Sequence, residues 1–249
     1  AVIFCMAFVI PVYQLLVWTA ESFKIEFSPH YFKLLTNTLF LGVIGTLFTM
    51  MVAVILSYSG RRMKDVKTGV AAKLSLSGYA LPGTVLAVGM MNVIGWFDRS
   101  LIGFLDLFGI HVSGGFLKGS LILLPFCYMV RFLTAGYNPV FSNMTRLTTS
   151  MDEASKIMKV SGIKLLSKIH LPLIRRGIIA GSILVLVEIM KEMPVTLMLR
   201  PFGWDTLAVK IFELTSEGEW ERAALPAITL VLAGMVPIFI LTFIGRDKK

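Results

Sequence analysis

The sequence predicts an all-α integral membrane protein with six transmembrane helices. Its 249 residues are 56% hydrophobic and only 16% charged, and the mean hydropathy is +0.79. Soluble domains carry roughly 45–50% apolar and about 25% charged residues, so this chain has more apolar surface than a water-soluble core of its length can bury. The same excess excludes a disordered chain, and the two cysteines, each inside an apolar run, exclude a disulfide scaffold.

Six predominantly apolar segments reach the roughly 20 residues that a helix needs to cross a bilayer. Backbone polar groups must be satisfied internally in lipid, so each segment is expected to be helical. Proline removes a backbone donor, so kinks are expected at Pro82, Pro125, Pro194 and Pro237. In chain order, the predicted spans are residues 1–19, 36–59, 74–96, 116–137, 174–199 and 223–245.

The first span starts at Ala1, without an initiator methionine or a basic flank. A secretory signal has a charged first region and a small-residue cleavage site, and neither is visible. We therefore expect residue 1 not to be the natural start of the protein, so that the sequence is a piece of a longer chain.

The charge of the loops predicts the orientation of the spans. Segments 60–73, 138–176 and 246–249 together hold fifteen basic and four acidic residues, a net charge of +11. The loops at the other ends of the spans hold seven basic and nine acidic residues, a net charge of −2. Positive loops stay in the cytoplasm, so both ends of the chain are expected there. Topology and anionic membrane lipid account for the basic excess, and no nucleic-acid partner is expected.

The loop between the fourth and fifth spans is predicted to be folded. Ser150 and Glu153 have the capping-box pattern, in which a hydroxyl precedes a carboxylate by three residues at a helix start. Ala154, Ile157 and Met158 follow at i, i+3 and i+4, which places them on one face of a helix. The pattern therefore predicts a short amphipathic helix.

A glycine is expected to end that helix. Gly162 can adopt the left-handed conformation that terminates helices, and Pro172 suits the first turn of the next span. Between them, Ile163, Leu166 and Ile169 form a second short apolar stripe. Two short helices joined at a glycine can dock onto a partner or lie on lipid headgroups, and composition alone favours both equally.

The spacing within this loop resembles a family motif. Glu153-Ala154-Ser155, then Gly162, then Ile169-His170-Leu171-Pro172 is similar to the EAA loop of permease subunits of binding-protein-dependent ABC importers. Ser155 replaces the second alanine of that motif and is also small. The resemblance implies a type I ABC importer permease fold, in which residues 150–172 form a cytoplasmic coupling helix seated on a dimer of ATPase subunits. The residues it implies for this coupling are Glu153, Ala154, Ser155, Ile157, Met158, Gly162, Leu171 and Pro172. Glu153 can also serve only as a helix cap.

Other segments resemble the iron(III) branch of these permeases. They are residues 80–87 (ALPGTVLA), 191–202 (KEMPVTLMLRPF), 205–208 and 223–227. The resemblance implies that iron(III), delivered by a periplasmic binding protein, crosses the bacterial inner membrane; thiamine and phosphonate importers share the loop and remain alternatives. In this branch two six-helix halves are often fused. We therefore expect residues 1–249 to be a single permease domain, the C-terminal half of a longer chain, although a half-size subunit that pairs with itself fits equally well.

The chain is expected to transport without performing chemistry itself. It contains no G-x-x-x-x-G-K-[ST] phosphate loop, so ATP is expected to be hydrolysed by a partner. We expect no cofactor and no metal site, because His30, His111 and His170 are predicted to lie in separate loops. An integral membrane enzyme, a channel and a secondary transporter are the competing classes. An enzyme would have to use Glu188 and Glu192 as acid and base without any nucleophile motif.

The fifth predicted span contains three charges. A charge at the bilayer centre costs about 2.5–3.5 kcal/mol on insertion scales, so Glu188, Lys191 and Glu192 should face protein or water. Their spacing places all three near one side of a helix. They could line the translocation path, with Pro194 bending the helix toward a gate. Alternatively, Lys191 neutralises the two acids and locks the span to its neighbour, with Arg131 as a further partner.

Two smaller patterns predict local contacts. Asp205 is expected to cap a helix whose Leu207 and Leu214 face inward. Gly177 and Gly181 form a G-x-x-x-G pair, which predicts close helix packing in the fifth span.

Overall fold

The computed structural model describes residues 2–62, 66–109, 115–157 and 162–246. Every regular element in these ranges is helical, as predicted. Short helical turns cover Ser77–Ala80, Ile163–Leu165 and Leu166–His170. The helices are α1 (Val2–Glu26), α2 (Pro29–Arg62), α3 (Val66–Leu76), α4 (Gly83–Asp106), α5 (Leu123–Met144), α6 (Thr149–Ile157), α7 (Leu171–Met190), α8 (Pro194–Leu199), α9 (Leu207–Ser216) and α10 (Trp220–Arg246).

The predicted count of six spans is not confirmed. Among the described residues, four helices are long and apolar enough to cross a membrane: α1, α2, α4 and α10. The predicted fourth and fifth spans correspond to α5 and α7. α5 contains Arg131 and Asn138, and α7 contains three charged residues, Arg175, Arg176 and Glu188.

Two predicted spans are wrong as continuous helices. Residues 74–96 are divided, because α3 ends at Leu76, a 3-10 turn follows, and α4 starts only after Pro82. Residues 174–199 are also divided, because α7 ends before Lys191 and α8 starts at Pro194. Proline lacks an N–H and is tolerated at a helix start, where that donor has no intrahelical partner. At these two places proline therefore starts a new helix instead of kinking a continuous one.

The remaining spans keep their predicted positions with shifted ends. α5 covers most of the predicted span 116–137 but starts later and extends to Met144. Pro125 lies in its first turn, so it introduces no kink within the helix, whereas Pro139 lies in its interior. α10 continues through Pro237, as predicted for the sixth span.

The core of the bundle is formed by α2, α5 and α7, which pack against one another. α1 packs on α10, α9 also packs on α10, and α8 contacts α4 and α5. α5 and α7 are thus the central helices, so a charged residue such as Arg131 can pair with a neighbour instead of facing lipid. Fully or almost fully buried members of the core are Leu41, Leu124, Tyr128, Phe132, Val140, Ile174, Val185 and Ile189.

The predicted close packing of the glycine pair is confirmed. A Cβ atom on Gly177 would lie 2.6 Å from the Pro139 carbonyl oxygen, and one on Gly181 would lie 2.9 Å from the Gly136 carbonyl oxygen. The backbones of α5 and α7 therefore approach closely, as small residues permit in membrane bundles. This contact matters for the site because α5 leads into the long loop and α7 leads out of it.

Candidate functional site

The long loop between α5 and α7 contains the predicted short helix. This helix, α6, begins at Thr149, so Ser150 is its second residue and Glu153 its fifth. The predicted capping box, which needs Ser150 immediately before the helix, is therefore wrong. The side chain of Glu153 is exposed. The helix itself is therefore confirmed, with a start two residues earlier than a cap at Ser150 predicts.

α6 presents one face to solvent. Glu153 and Ile157 are one turn apart, and Ile157 is 85% exposed. Ser155 is buried instead, and its hydroxyl donates to the Met151 carbonyl oxygen at 2.7 Å. Ser155 was predicted to be one of the coupling residues, and its role in coupling stays a prediction. The side chain of Ala154 and the whole of Met158 lie outside the described residues.

The end of the loop follows the predicted pattern. Gly162 has a φ of +63°, the left-handed conformation that favours glycine. Helical turns then lead directly into α7, where Pro172 lies in the first turn and is exposed. Leu171 is partly buried and packs against the main core. The loop therefore joins α7 without an intervening flexible linker.

Arg61, near the C-terminal end of α2, holds the entry to this loop. Its Nη1 donates to the carbonyl oxygens of Met144 and Leu147, both at 2.9 Å, and its Nη2 donates to that of Thr148 at 3.2 Å. These carbonyls belong to the end of α5 and to the residues just before α6, where helix carbonyls have no intrahelical partner. In the sequence, Arg61 is one of the fifteen basic residues that predict the orientation of the spans, and these hydrogen bonds were not predicted.

Tyr58, one turn before Arg61, contacts the exit of the loop. Its hydroxyl donates to the Gly162 carbonyl oxygen at 3.4 Å, and its ring centroid lies 5.8 Å from that of His170. His170 is buried within a helical turn, and His30 lies in α2, so the prediction that these histidines lie in loops is wrong. His111 lies outside the described residues.

A buried ion pair lies where α7 gives way to α8. The Glu192 carboxylate, 6% exposed, places Oε2 3.1 Å from Nε of Arg131 on α5. Its Oε1 accepts the Val195 backbone N–H at 3.1 Å, which caps the start of α8. Arg131 also donates to the Leu81 carbonyl oxygen at 3.2 Å, just before α4 begins. One ion pair thus joins both helix breaks to α5.

The three charges of the fifth predicted span do not form one cluster. Lys191 Nζ lies 2.9 Å from Glu188 Oε1, and these two side chains are more exposed than Glu192. The hypothesis that Lys191 neutralises both acids is confirmed for Glu188 and wrong for Glu192, which pairs with Arg131, the further partner that was predicted. The helix ends before Lys191, so the predicted i, i+4 alignment of Glu188 with Glu192 is lost. Pro194 starts α8, as a helix-starting proline does.

Near the start of α9 the predicted cap is displaced by one residue. Thr206, not Asp205, is the N-cap, and its side-chain oxygen accepts a backbone N–H from the first turn. Asp205 instead pairs with Arg200, with Oδ1 2.6 Å from Nε. Leu207 and Leu214 are buried, as predicted. Within the described residues, no group of three or more His, Cys, Asp or Glu is arranged to hold a metal ion.

Comparisons by sequence identify relatives among transport permeases. Over 242 residues, 96% of this chain, it is 23% identical to the "Fe(3+)-transport system permease protein FbpB 2" of Haemophilus influenzae, and the match covers 45% of that protein. Over 119 residues, 48% of this chain, it is 27% identical to the "Putative 2-aminoethylphosphonate transport system permease protein PhnV" of Salmonella paratyphi A, and the match covers 44% of that protein. Each match thus covers less than half the length of the relative. No protein-family model matches it.

Comparisons by structure identify the same fold. A chain of a bacterial ABC transporter involved in the import of the acidic polysaccharide alginate superposes with a TM-score of 0.74 at 13% identity, over 100% of this chain and 93% of that one. A chain of the bacterial alginate ABC transporter in complex with its alginate pentasaccharide-bound periplasmic protein gives a TM-score of 0.70, also at 13% identity, over 98% and 90%. The chain is a multi-pass membrane protein with the fold of ABC transporter permeases. Its resemblance to permeases of binding-protein-dependent importers, including the iron(III) branch, is confirmed.

Proposed function

We propose that this chain is a permease unit of an ATP-driven ABC importer in a bacterial inner membrane, powered by a separate dimer of ATPase subunits. The observation that carries this proposal is the exposed Glu153–Ile157 face of α6. On this face Ile157, an apolar side chain that is 85% exposed, lies one turn from the exposed Glu153, at the positions where the EAA resemblance expects contact with a partner. Because the loop resembles the EAA motif, we propose that this partner is the ATPase subunit.

The packing supports a mechanical role for the loop. Its entry is bonded to Arg61, its exit contacts Tyr58, and its two stems are α5 and α7, which touch closely at Gly177 and Gly181. Displacement of α6 would therefore act on the three core helices together. Close-packed helices tend to shift as units, which is how a local movement becomes a change of access.

For the substrate we propose iron(III). The support is the relative FbpB 2, which aligns with almost the whole chain. Iron(III) is a hard cation that prefers oxygen ligands, yet Glu192 is paired with Arg131 and Glu188 with Lys191. In this proposal a periplasmic binding protein holds the ion and the permease offers only weak, transient contacts. The relative PhnV supports the alternative, a phosphonate substrate, and thiamine stays open.

We further propose that a second six-helix unit forms the other wall of the pathway. The relative FbpB 2 is more than twice as long as the region that aligns with this chain, which leaves room for such a unit. In this arrangement α5 and α7 complete a set of six spans, the loop lies in the cytoplasm, and both ends of this segment lie there too. The break between Glu188 and Pro194 would then contribute to the path or its gate.

The proposal is tested in liposomes that contain the complete transporter, its ATPase and its loaded binding protein. Glu153→Ala and Gly162→Ala should lower the stimulation of ATP hydrolysis by about tenfold, equal to ~1.4 kcal/mol of coupling. Lys73→Ala, which removes an exposed charge from α3, is the control and should leave stimulation unchanged. Normal stimulation in both loop variants would remove the assigned role of the loop. The ligand carried by the cognate binding protein decides between iron(III), phosphonate and thiamine.

A further inference from the structure

A basic cavity opens beside the stems of the long loop. It has a volume of about 390 Å³ and lies between the C-terminal end of α5 and the start of α7. Three arginines line it, Arg146, Arg175 and Arg176, and all three are exposed. In the part of the chain that the structure describes, none of them is ion-paired with a carboxylate. The cavity therefore concentrates positive charge that nothing described here neutralises.

The chemistry of the cavity fits a phosphate ester. Guanidinium groups present a planar fork of N–H donors that matches phosphate oxygens, and three such groups around one cavity repel one another unless an anion lies between them. The rest of the lining includes Leu147, Pro172 and Leu173, and Leu173 is 48% exposed. A ligand that carries both an anionic head and an apolar tail satisfies both parts of the lining.

The position of the cavity fits a membrane boundary. From Gly177 to Val187, α7 has no charged residue, and it packs on α5 through Gly177 and Gly181. Arg175 and Arg176 immediately precede this apolar stretch, so they lie where the helix leaves the hydrocarbon layer. Basic pockets between membrane helices at this level bind anionic lipid headgroups.

We propose that this cavity binds the headgroup of an anionic phospholipid, with its phosphate among Arg146, Arg175 and Arg176. A membrane lipid is favoured over an acidic protein surface because Leu173 adds an exposed apolar contact beside the charges. The proposal does not depend on transport. The cavity is lined by residues from the end of α5 and the start of α7, which flank the long loop. A bound headgroup would therefore also stabilise the position of this loop and of α6.

The test measures lipid retention by the full chain in detergent. The probes are dioleoylphosphatidylglycerol and dioleoylphosphatidylcholine, which share acyl chains and differ in headgroup charge, and bound lipid is counted by native mass spectrometry. Each basic side chain near an anionic lipid strengthens binding about fivefold. The wild-type chain should therefore retain phosphatidylglycerol at least about tenfold better than phosphatidylcholine. Replacing all three arginines with alanine should abolish this preference.

Two further variants make the result specific. Lys73→Ala removes a charge on α3, outside the cavity lining, and should keep the preference. Replacing the three arginines with lysine keeps the charge but loses the planar fork, so it should retain part of the preference, and it serves if the alanine variant does not fold. Equal retention of both lipids by the wild-type chain, or an equal loss with Lys73→Ala, would overturn the proposal.

Two additional measurements distinguish other occupants. Complete displacement of phosphatidylglycerol by millimolar inorganic phosphate would identify a site for free phosphate and overturn the lipid assignment. A triple arginine variant that keeps its lipid preference but binds the ATPase subunit more weakly would assign the cavity to a protein partner instead. Lipid preference that is lost together with the arginines, without either of these results, supports the proposal.

Discussion

Arg131 on α5 and Glu192 after α7 are joined by an ion pair of 3.1 Å, and Glu192 is almost fully buried. The same two residues also bond the backbone at both helix breaks: Arg131 contacts Leu81 before α4, and Glu192 caps α8 at Val195. Two interruptions that are distant in sequence therefore share a single electrostatic anchor in the folded protein.

Removal of one partner of this pair should strongly destabilise the chain. Arg131→Ala leaves a buried carboxylate without compensation, which costs about 3–5 kcal/mol. Lys191→Ala is the matched control, because the Glu188–Lys191 pair is more exposed and contributes at most about 1 kcal/mol. Thermal unfolding in detergent should show a much lower Tm for Arg131→Ala than for Lys191→Ala. Equal losses would mean that the Arg131–Glu192 pair is not an anchor.

Arg61→Ala should loosen the entry of the long loop. The guanidinium group bonds three carbonyls there, and hydrogen bonds to charged groups contribute about 1.5–3 kcal/mol each. Hydrogen–deuterium exchange should become faster in residues 144–157, while α10 keeps its protection. Arg61→Lys keeps the charge but cannot reach all three carbonyls, so it should give an intermediate rate. Unchanged exchange in both variants would contradict the role of Arg61.

Gly181→Ala should force α5 and α7 apart. The new Cβ would lie 2.9 Å from the Gly136 carbonyl oxygen, and overpacking of this kind costs about 1–3 kcal/mol. Gly89→Ala, the same change in α4, has no atom within 4 Å of the new Cβ and should be neutral or slightly stabilising. The comparison of the two Tm values measures the helix contact directly, and the contact is refuted if Gly181→Ala is as stable as Gly89→Ala.

Ile157→Ser should separate stability from partner binding. Because Ile157 is 85% exposed, the change should alter the free energy of unfolding by less than about 0.5 kcal/mol. Binding to the ATPase subunit, measured by co-purification or calorimetry, should nevertheless weaken. Ile174→Ser is the control, since Ile174 is fully buried and its replacement should unfold the chain. A large drop in Tm for Ile157→Ser would show that this residue packs within the fold.

Local patterns in the sequence were sufficient for the helices, for the short helix of the loop and for the glycine that follows it. These features depend on residues within a few positions of one another, as in the left-handed Gly162. The interruption at residues 191–193 was predicted only as a kink at Pro194, because its geometry also depends on the pairing of Glu192 with Arg131, about sixty positions earlier. The contacts of Tyr58 and Arg61 were missed for the same reason. Their spacing of three residues on α2 was the only local sign that they share a face.

Arg61 grips the loop through main-chain oxygens, which every amino acid supplies. These hydrogen bonds therefore do not depend on which side chains occupy positions 144, 147 and 148. Mutations that adapt the surface of α6 to a different ATPase subunit would leave these backbone hydrogen bonds intact. The exposed face of α6 can therefore vary while its attachment to Arg61 stays the same. Exchange of residues 149–157 between distant homologues should preserve the helix bundle.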